Sequence, residues 1–164
     1  MPDIRVLIVE DNDTVRFLTT RQISVLGFTF ETAVNGKEAV ERYRNDAYDV
    51  ILMDIMMPEM TGLEATRQIR KIEQEKGAGH IPIIAMTAYG ERSECLESGM
   101  DDYLFKPVKL EDLRVTLTKW LTVDIPTPRD KLLDKTDREL SRTKEKLGSI
   151  GDRIAEIKRK YGLS

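Results

Sequence analysis

Short apolar runs alternate with amphipathic stretches from the start of the chain to about residue 122. The apolar runs are rich in β-branched residues and predict strands over residues 4–9, 28–33, 50–54, 81–86 and 102–105. The stretches between them space their apolar residues as helices do, and they predict helices near residues 14–26, 36–46, 62–76, 91–98 and 109–122. The pattern therefore predicts five successive strand–helix units.

The first, third and fourth predicted strands are continuously apolar through their centres, without an alternation of apolar and polar positions. Such strands are typical of a parallel sheet that is covered on both faces. Five strand–helix units then predict an α/β fold, in which a doubly wound sheet of parallel strands carries helices on both sides. The carboxyl ends of its strands meet in one crevice, where folds of this type bind ligands.

The pattern changes near Pro126 and Pro128, which indicate a linker over residues 123–130 between a body at 1–122 and a helical tail at 131–164. A stripe with a seven-residue repeat runs along the tail, and it is polar in its first half and apolar in its second. Its members are Leu133, Thr136, Leu140, Thr143, Leu147, Ile150, Ile154, Ile157 and Tyr161. Gly148 and Gly151 weaken a helix, so one long helix and a helix broken at 147–149 both stay open.

Composition limits the class of protein. The 164 residues are 40% hydrophobic and 34% charged, enough for one packed domain with an appendage. Residues 1–128 carry 15 Lys and Arg against 22 Asp and Glu, a balance of −7, whereas residues 129–164 carry 11 against 7, a balance of +4. The single cysteine, Cys95, excludes an internal disulfide, and no run approaches a membrane span. We therefore expect a soluble, cytoplasmic protein without a membrane partner.

Polar residues that could take part in binding or catalysis lie where four of the predicted strands end. Glu10 and Asp11 end the first strand, Asp54 the third, Thr87 the fourth and Lys106 the fifth. Three carboxylates gathered in one crevice repel each other, so a divalent cation that prefers oxygen ligands, such as Mg²⁺, is the expected occupant. A lysine and a hydroxyl beside them suit a phosphoryl group that arrives on Asp54.

Each of these residues has an ordinary explanation when it is taken alone. Asp54 could be a turn former, and Glu10 and Asp11 could favour the N-terminus of the following helix through its dipole. Thr87 could be a turn hydroxyl, and Lys106 a solvated side chain. Their occurrence at successive strand ends favours a common site over four unrelated explanations.

Four segments together resemble the receiver domain of bacterial response regulators, a flavodoxin-like fold. They read VLIVEDN at 6–12, ILMDIMMPEMTG at 51–62, IIAMTA at 83–88 and DYLFKP at 102–107. The likeness covers roughly residues 3–122 and implies a signalling switch rather than an enzyme with a turnover substrate. It also implies a histidine kinase or a histidine-phosphotransfer protein as the phosphoryl donor.

The resemblance assigns a role to each strand-end residue. Asp54 would be the phosphoacceptor, and the phosphoryl oxygens would be bound by Thr87 and Lys106. Asp11 would bind Mg²⁺ directly and Glu10 through water. Glu10 is a common variant of the Asp that the family has at this position. The remaining metal ligands would be Asp54 itself and the backbone carbonyl of Met56.

The resemblance also implies how the switch works and how long its signal lasts. Tyr103 would rotate inward as Thr87 moves, and Lys106–Pro107 would be a cis peptide. Output would be read on the fourth helix, fifth strand and fifth helix. Met56 and Tyr89 would flank the path of the hydrolytic water, and their bulk predicts slow autodephosphorylation.

One alternative comes from another protein class. Residues 11–15 match the DxDx[TV] motif of haloacid-dehalogenase-type phosphohydrolases, with Asp11 and Asp13 as the catalytic acids and Mg²⁺ as the cofactor. That class needs a further pair of strand-end acids after its lysine, and no predicted strand follows Lys106. The alternative also leaves Asp54 without a role, so the sequence favours the receiver.

The tail allows three functions. The repeat predicts a helix that docks on the body or self-associates with a second copy. The balance of +4, the basic residues 158–160 and a faint resemblance of residues 147–163 to the final helix of Fis-type DNA-binding domains suggest a small DNA-binding element. We consider this unlikely because Ile157 falls where that helix usually has a basic residue. A tail that docks on another protein or is partly disordered is the third alternative.

Overall fold

A computed structural model describes residues 3–88 and 92–161 of the chain. The strands are β1 (Arg5–Val9), β2 (Thr29–Ala33), β3 (Val50–Asp54), β4 (Ile83–Thr87) and β5 (Asp102–Phe105). The helices are α1 (Asp13–Leu26), α2 (Gly36–Asn45), α3 (Gly62–Lys76), α4 (Arg92–Ser98), α5 (Leu110–Leu121) and α6 (Pro128–Tyr161). All five strands pair in parallel in the order β2-β1-β3-β4-β5, which confirms the predicted doubly wound sheet.

The sheet separates two hydrophobic cores, which explains why its central strands are continuously apolar. In β3, Ile51 and Met53 face one core, and Val50 and Leu52 face the other. The first core also contains residues of α2, α3 and α4, and the second contains residues of α1 and α5. Because successive side chains of a strand point to opposite faces, a strand covered on both faces needs apolar residues throughout.

The structure divides into two compact units, residues 1–125 and 126–164. Ile125, in the segment that the sequence predicts as a linker, is fully buried in the second core, and its carbonyl accepts a hydrogen bond from Arg114 at 3.0 Å. Pro128 is the first residue of α6, where its missing N–H costs nothing. Thr127 and Asp130 cap the same helix through reciprocal hydrogen bonds of 2.9 and 3.1 Å.

The helix α6 continues through Gly148 and Gly151, so the structure selects the single long helix of the two alternatives. The stripe residues with described side chains include five large apolar ones, all exposed: Leu133, Leu140, Leu147, Ile150 and Ile154. The side chains of Ile157 and Tyr161 lie outside the described residues. Within residues 3–88 and 92–161, no helix has the length and apolar character needed to cross a membrane.

The loop after β3 is shaped by a close backbone approach at Gly62. A Cβ added at this position would lie 2.0 Å from the carbonyl oxygen of Asp54, so any larger residue would displace the end of β3. The Gly62 N–H also donates to the carbonyl of Ile55 at 2.9 Å. Thr61 and Glu64 form a capping box that starts α3 directly at Gly62.

Gly62→Ala therefore tests whether this approach holds the loop. Alanine normally stabilises a helix relative to glycine. Here we expect a loss of about 2 kcal/mol in the free energy of unfolding, because backbone atoms must move. Gly79→Ala is the matched control, since an added Cβ there meets nothing within 4 Å. Urea denaturation measures both changes, and a Gly62→Ala protein as stable as the wild type would contradict the steric argument.

Candidate functional site

The carboxyl ends of β1, β3, β4 and β5 border one cleft with a volume of about 490 Å³. The strand β3 lies between β1 and β4, so Asp54 stands at the centre of this edge. The cleft is lined by Glu10, Asp11, Asn12, Val15, Asp54, Ile55, Met56, Thr87, Ala88 and Lys106. The structure thus brings together all five strand-end residues that the sequence singles out.

Lys106 forms ion pairs with two buried carboxylates. Its Nζ lies 2.6 Å from Glu10 Oε2 and 2.8 Å from Asp54 Oδ1. Glu10 and Asp54 are only 1% and 5% exposed, so neither charge can rely on water. Buried charges persist in proteins when they are paired and hydrogen-bonded. Lys106 is therefore the counter-charge that allows two acids to share the cleft.

The surroundings shift the pKa of two groups in the cleft. Burial raises the pKa of the Glu10 carboxyl; the hydrogen bond from Lys106 offsets part of this, and the charge of Asp54 adds to it. Burial alone would lower the pKa of Lys106, but its hydrogen bonds to Asp54 and Glu10 outweigh that effect and raise the pKa. Lys106 therefore stays protonated and keeps its positive charge at neutral pH.

The cleft also has the donor set of a cation site. Carboxylate oxygens of Glu10, Asp11 and Asp54 all lie within 4.8 Å of one another. Both Glu10 oxygens are already engaged, one by Lys106 and the other by the Asn12 N–H at 3.1 Å, whereas Asp11 is exposed. Oxygen ligands of this kind suit Mg²⁺, and Asp11 is the carboxylate most available to it.

Sequence reasoning missed Arg16, which fixes the loop between β1 and α1. Its Nη1 donates to the carbonyl of Glu10 at 2.8 Å and to that of Asp11 at 3.3 Å, and its Nη2 pairs with Asp13. Asn12 starts α1 by accepting hydrogen bonds from the N–H groups of Thr14 and Val15. The only signal in the sequence was an arginine one helical turn after the acidic loop.

The predicted switch residues lie on neighbouring strands, β4 and β5. Thr87 is buried, and its carbonyl accepts the Lys106 N–H at 2.7 Å. Tyr103 is half-buried against the first core; its ring meets that of Phe105 edge-on at 5.1 Å, and the Arg92 guanidinium lies 4.9 Å from its centre. The Lys106–Pro107 bond is cis. The side chain of Met56 is 70% exposed, and Tyr89 lies outside the described residues.

A comparison with protein families places this cleft in a known context. Residues 6–118 match the family described as the response regulator receiver domain. The chain belongs to this family. The receiver domain is a signalling switch of two-component phosphorelay systems, so the predicted class of function is confirmed and the phosphohydrolase alternative is not favoured.

Curated relatives include receivers that are part of longer proteins. Hybrid signal transduction histidine kinase G of Dictyostelium discoideum is 43% identical over 123 residues, which cover 72% of this chain and 4% of that protein. Response regulator MprA of Mycolicibacterium vanbaalenii is 34% identical over 152 residues, which cover 85% of this chain and 64% of that protein. The chain thus spans a small part of the kinase and less than two thirds of MprA.

Solved structures show the same receiver fold. One is a co-crystal of Saccharomyces cerevisiae Ypd1, a histidine phosphotransfer signalling protein, with the receiver domain of Ssk1. Its TM-score is 0.70 at 32% identity, and the match covers 77% of this chain and 94% of the matched chain. The receiver of sensor histidine kinase PA1611 from Pseudomonas aeruginosa has a TM-score of 0.67 at 36% identity, covering 74% and 99%. That structure holds a magnesium ion in its active-site cleft.

The ion pairs of Lys106 predict a pH-dependent contribution to stability. Without divalent cations at neutral pH, Lys106→Met should lower the free energy of unfolding by about 3 kcal/mol, because it leaves Glu10 and Asp54 buried without a counter-charge. Lys109→Met, which removes an exposed lysine nearby, should change it by less than about 0.5 kcal/mol.

The sign of the pH dependence follows from Glu10. Its pKa is raised in the folded state, so protonation favours folding at low pH and this advantage is lost as the pH rises through the folded pKa. The loss of unfolding free energy in Lys106→Met should therefore be small in acid, where Glu10 is protonated and uncharged, and should grow toward neutral pH. Urea denaturation over a pH series measures it, and a deficit that is equal at every pH would contradict the ion-pair account.

Proposed function

We propose that Asp54 accepts a phosphoryl group from the phosphohistidine of a histidine kinase or a histidine-phosphotransfer protein. The observation that carries the proposal is the position of its carboxylate, which is nearly buried at the centre of the cleft, 2.8 Å from Lys106 Nζ and close to two further acids. The likeness to a receiver solved together with Ypd1 supports a donor of this type.

In the proposed step, a carboxylate oxygen of Asp54 attacks phosphorus and forms a P–O bond while the P–N bond to the donor imidazole breaks. The electron pair of the broken bond stays on the imidazole nitrogen, so Asp54 acts as a nucleophile and not as a base. Lys106 can remain beside the transferred group, where its ammonium stabilises the charge on the phosphoryl oxygens. Thr87 Oγ1 is the proposed second contact to those oxygens.

The proposed direct metal ligands are the carboxylates of Asp11 and Asp54 and the backbone carbonyl of Met56, and Glu10 would bind the ion through water. When Mg²⁺ is bound, it supplies positive charge that lets an anionic phosphoryl group approach an anionic carboxylate. Arg16 serves the same site indirectly, because it holds the carbonyls of Glu10 and Asp11 in place.

The proposed output is a conformational change rather than turnover of a substrate. A phosphoryl group on Asp54 would draw Thr87 toward the cleft, and Tyr103 would move into the space that Thr87 leaves. The stacking of Arg92 on Tyr103 would change with this motion, which links the cleft to the surface of α4 and β5. A cytoplasmic location and slow autodephosphorylation stay predictions.

The proposal requires a single phosphoacceptor. Incubation with acetyl phosphate and Mg²⁺ should add one base-labile phosphoryl group to the wild type, and Asp54→Asn should abolish it. Asp13→Asn is the matched control and should leave labelling intact, because that side chain is 90% exposed outside the cleft. Intact-mass spectrometry measures the adduct. Undiminished labelling of Asp54→Asn, or its loss in Asp13→Asn, would sink the proposal and favour the phosphohydrolase class.

The proposed metal site requires unequal contributions from its two β1 acids. Asp11→Ala should weaken Mg²⁺ binding about ten-fold more than Glu10→Ala, since a direct ligand contributes more than one that acts through water. The engagement of both Glu10 oxygens by Asn12 and Lys106 supports this order. Isothermal titration calorimetry can follow the titration. Equal affinities, or a larger loss in Glu10→Ala, would reverse the assignment.

A further inference from the structure

The helix α6 has an apolar stripe that the receiver function does not use. The helix is continuous over 34 residues. Five large apolar residues of the stripe are each 51% to 62% exposed: Leu133, Leu140, Leu147, Ile150 and Ile154. In proteins, most helices owe their stability to the packing of an apolar face rather than to helix propensity alone. A stripe of this length therefore indicates a partner that covers it.

The spacing of the stripe identifies the kind of partner. Leu133, Leu140, Leu147 and Ile154 occupy the first position of successive heptads, and Thr136, Thr143 and Ile150 the fourth. A narrow stripe confined to these two positions is the seam of a two-stranded coiled coil. The helix is about 50 Å long, which gives nearly five heptads for such contacts.

We propose that α6 pairs in parallel and in register with α6 of a second copy of this chain. The seam is polar at Thr136 and Thr143 and apolar from Leu147 onward. In a parallel pair in register, each threonine lies opposite the same threonine of the other copy, and each apolar residue lies opposite the same apolar residue. The Thr143 hydroxyl already donates to the carbonyl of Glu139 at 2.9 Å, so it can enter a seam without losing its hydrogen bond.

Charge complementarity also favours the parallel orientation. Glu139 and Lys144 flank the seam on opposite sides and are five residues apart. In a parallel pair, Glu139 of one copy would face Lys144 of the other copy across the interface. An antiparallel pair that overlaps along the whole stripe would instead bring Lys144 against Lys144 and Lys146 against Lys146. Like charges at these positions oppose association.

Sedimentation equilibrium of residues 1–164, without phosphodonor, tests the proposal. The wild type should show a monomer–dimer equilibrium. Leu147→Asp combined with Ile154→Asp should raise the dissociation constant by about a hundred-fold or more, because it places charge in two seam layers. Ser149→Asp with Ala155→Asp adds the same charge in the same turns outside the seam, and it should leave the dimer intact.

A wild type that stays monomeric at the highest attainable concentration would overturn the proposal, even if hydrogen exchange showed the stripe protected by its own receiver. Equal loss of the dimer in both double variants would overturn it as well. Because no phosphodonor is present, failure here would leave the role of Asp54 untouched.

Mixing two single variants tests the orientation. Glu139→Lys and Lys144→Glu should each weaken self-association, since like charges then face each other across the seam. An equimolar mixture should form a heterodimer at least as tight as the wild-type dimer, because every such contact again joins Lys to Glu. If the mixture contained no more heterodimer than homodimer, the parallel arrangement would be wrong.

Discussion

Two carboxylates, Glu10 and Asp54, share the ammonium of Lys106 at the carboxyl ends of three strands. Lys106 is 96 residues from Glu10 in sequence, and only the parallel order of β1, β3, β4 and β5 brings them together. Without Lys106, two nearly buried negative charges would face each other with little water to screen them. This pairing is the constraint from which the stability and the proposed chemistry of the cleft both follow.

The backbone around the cleft holds these charges in place. Gly62 lets α3 begin in contact with the carbonyl of Asp54, which fixes the end of β3. Arg16 and Asn12 fix the loop after β1, where Glu10 and Asp11 lie. The proposed switch would benefit from this rigidity, because a small change at Asp54 would then move Thr87 and Tyr103 rather than the loop after β1.

The sequence was sufficient for the fold and for the position of the cleft. Continuous apolar runs marked the strands buried on both faces, and polar residues at their ends marked the common edge. It was not sufficient for contacts that depend on tertiary geometry, such as the support of the acidic loop by Arg16 or the burial of Ile125 after the last helix of the body. Helix propensity alone also could not decide whether α6 continues through Gly148 and Gly151.

The proposed phosphoacceptor role of Asp54 is tested most directly by a crystal structure of the chain with Mg²⁺ and beryllofluoride, a mimic of the phosphoryl group. We expect beryllium to be bonded to Asp54 and its fluorine atoms to contact Lys106 Nζ and Thr87 Oγ1. We also expect Mg²⁺ to be bound by Asp11 and by the Met56 carbonyl. Beryllofluoride bonded to Asp11 or Asp13, with Asp54 still paired only with Lys106, would contradict the proposed role of Asp54.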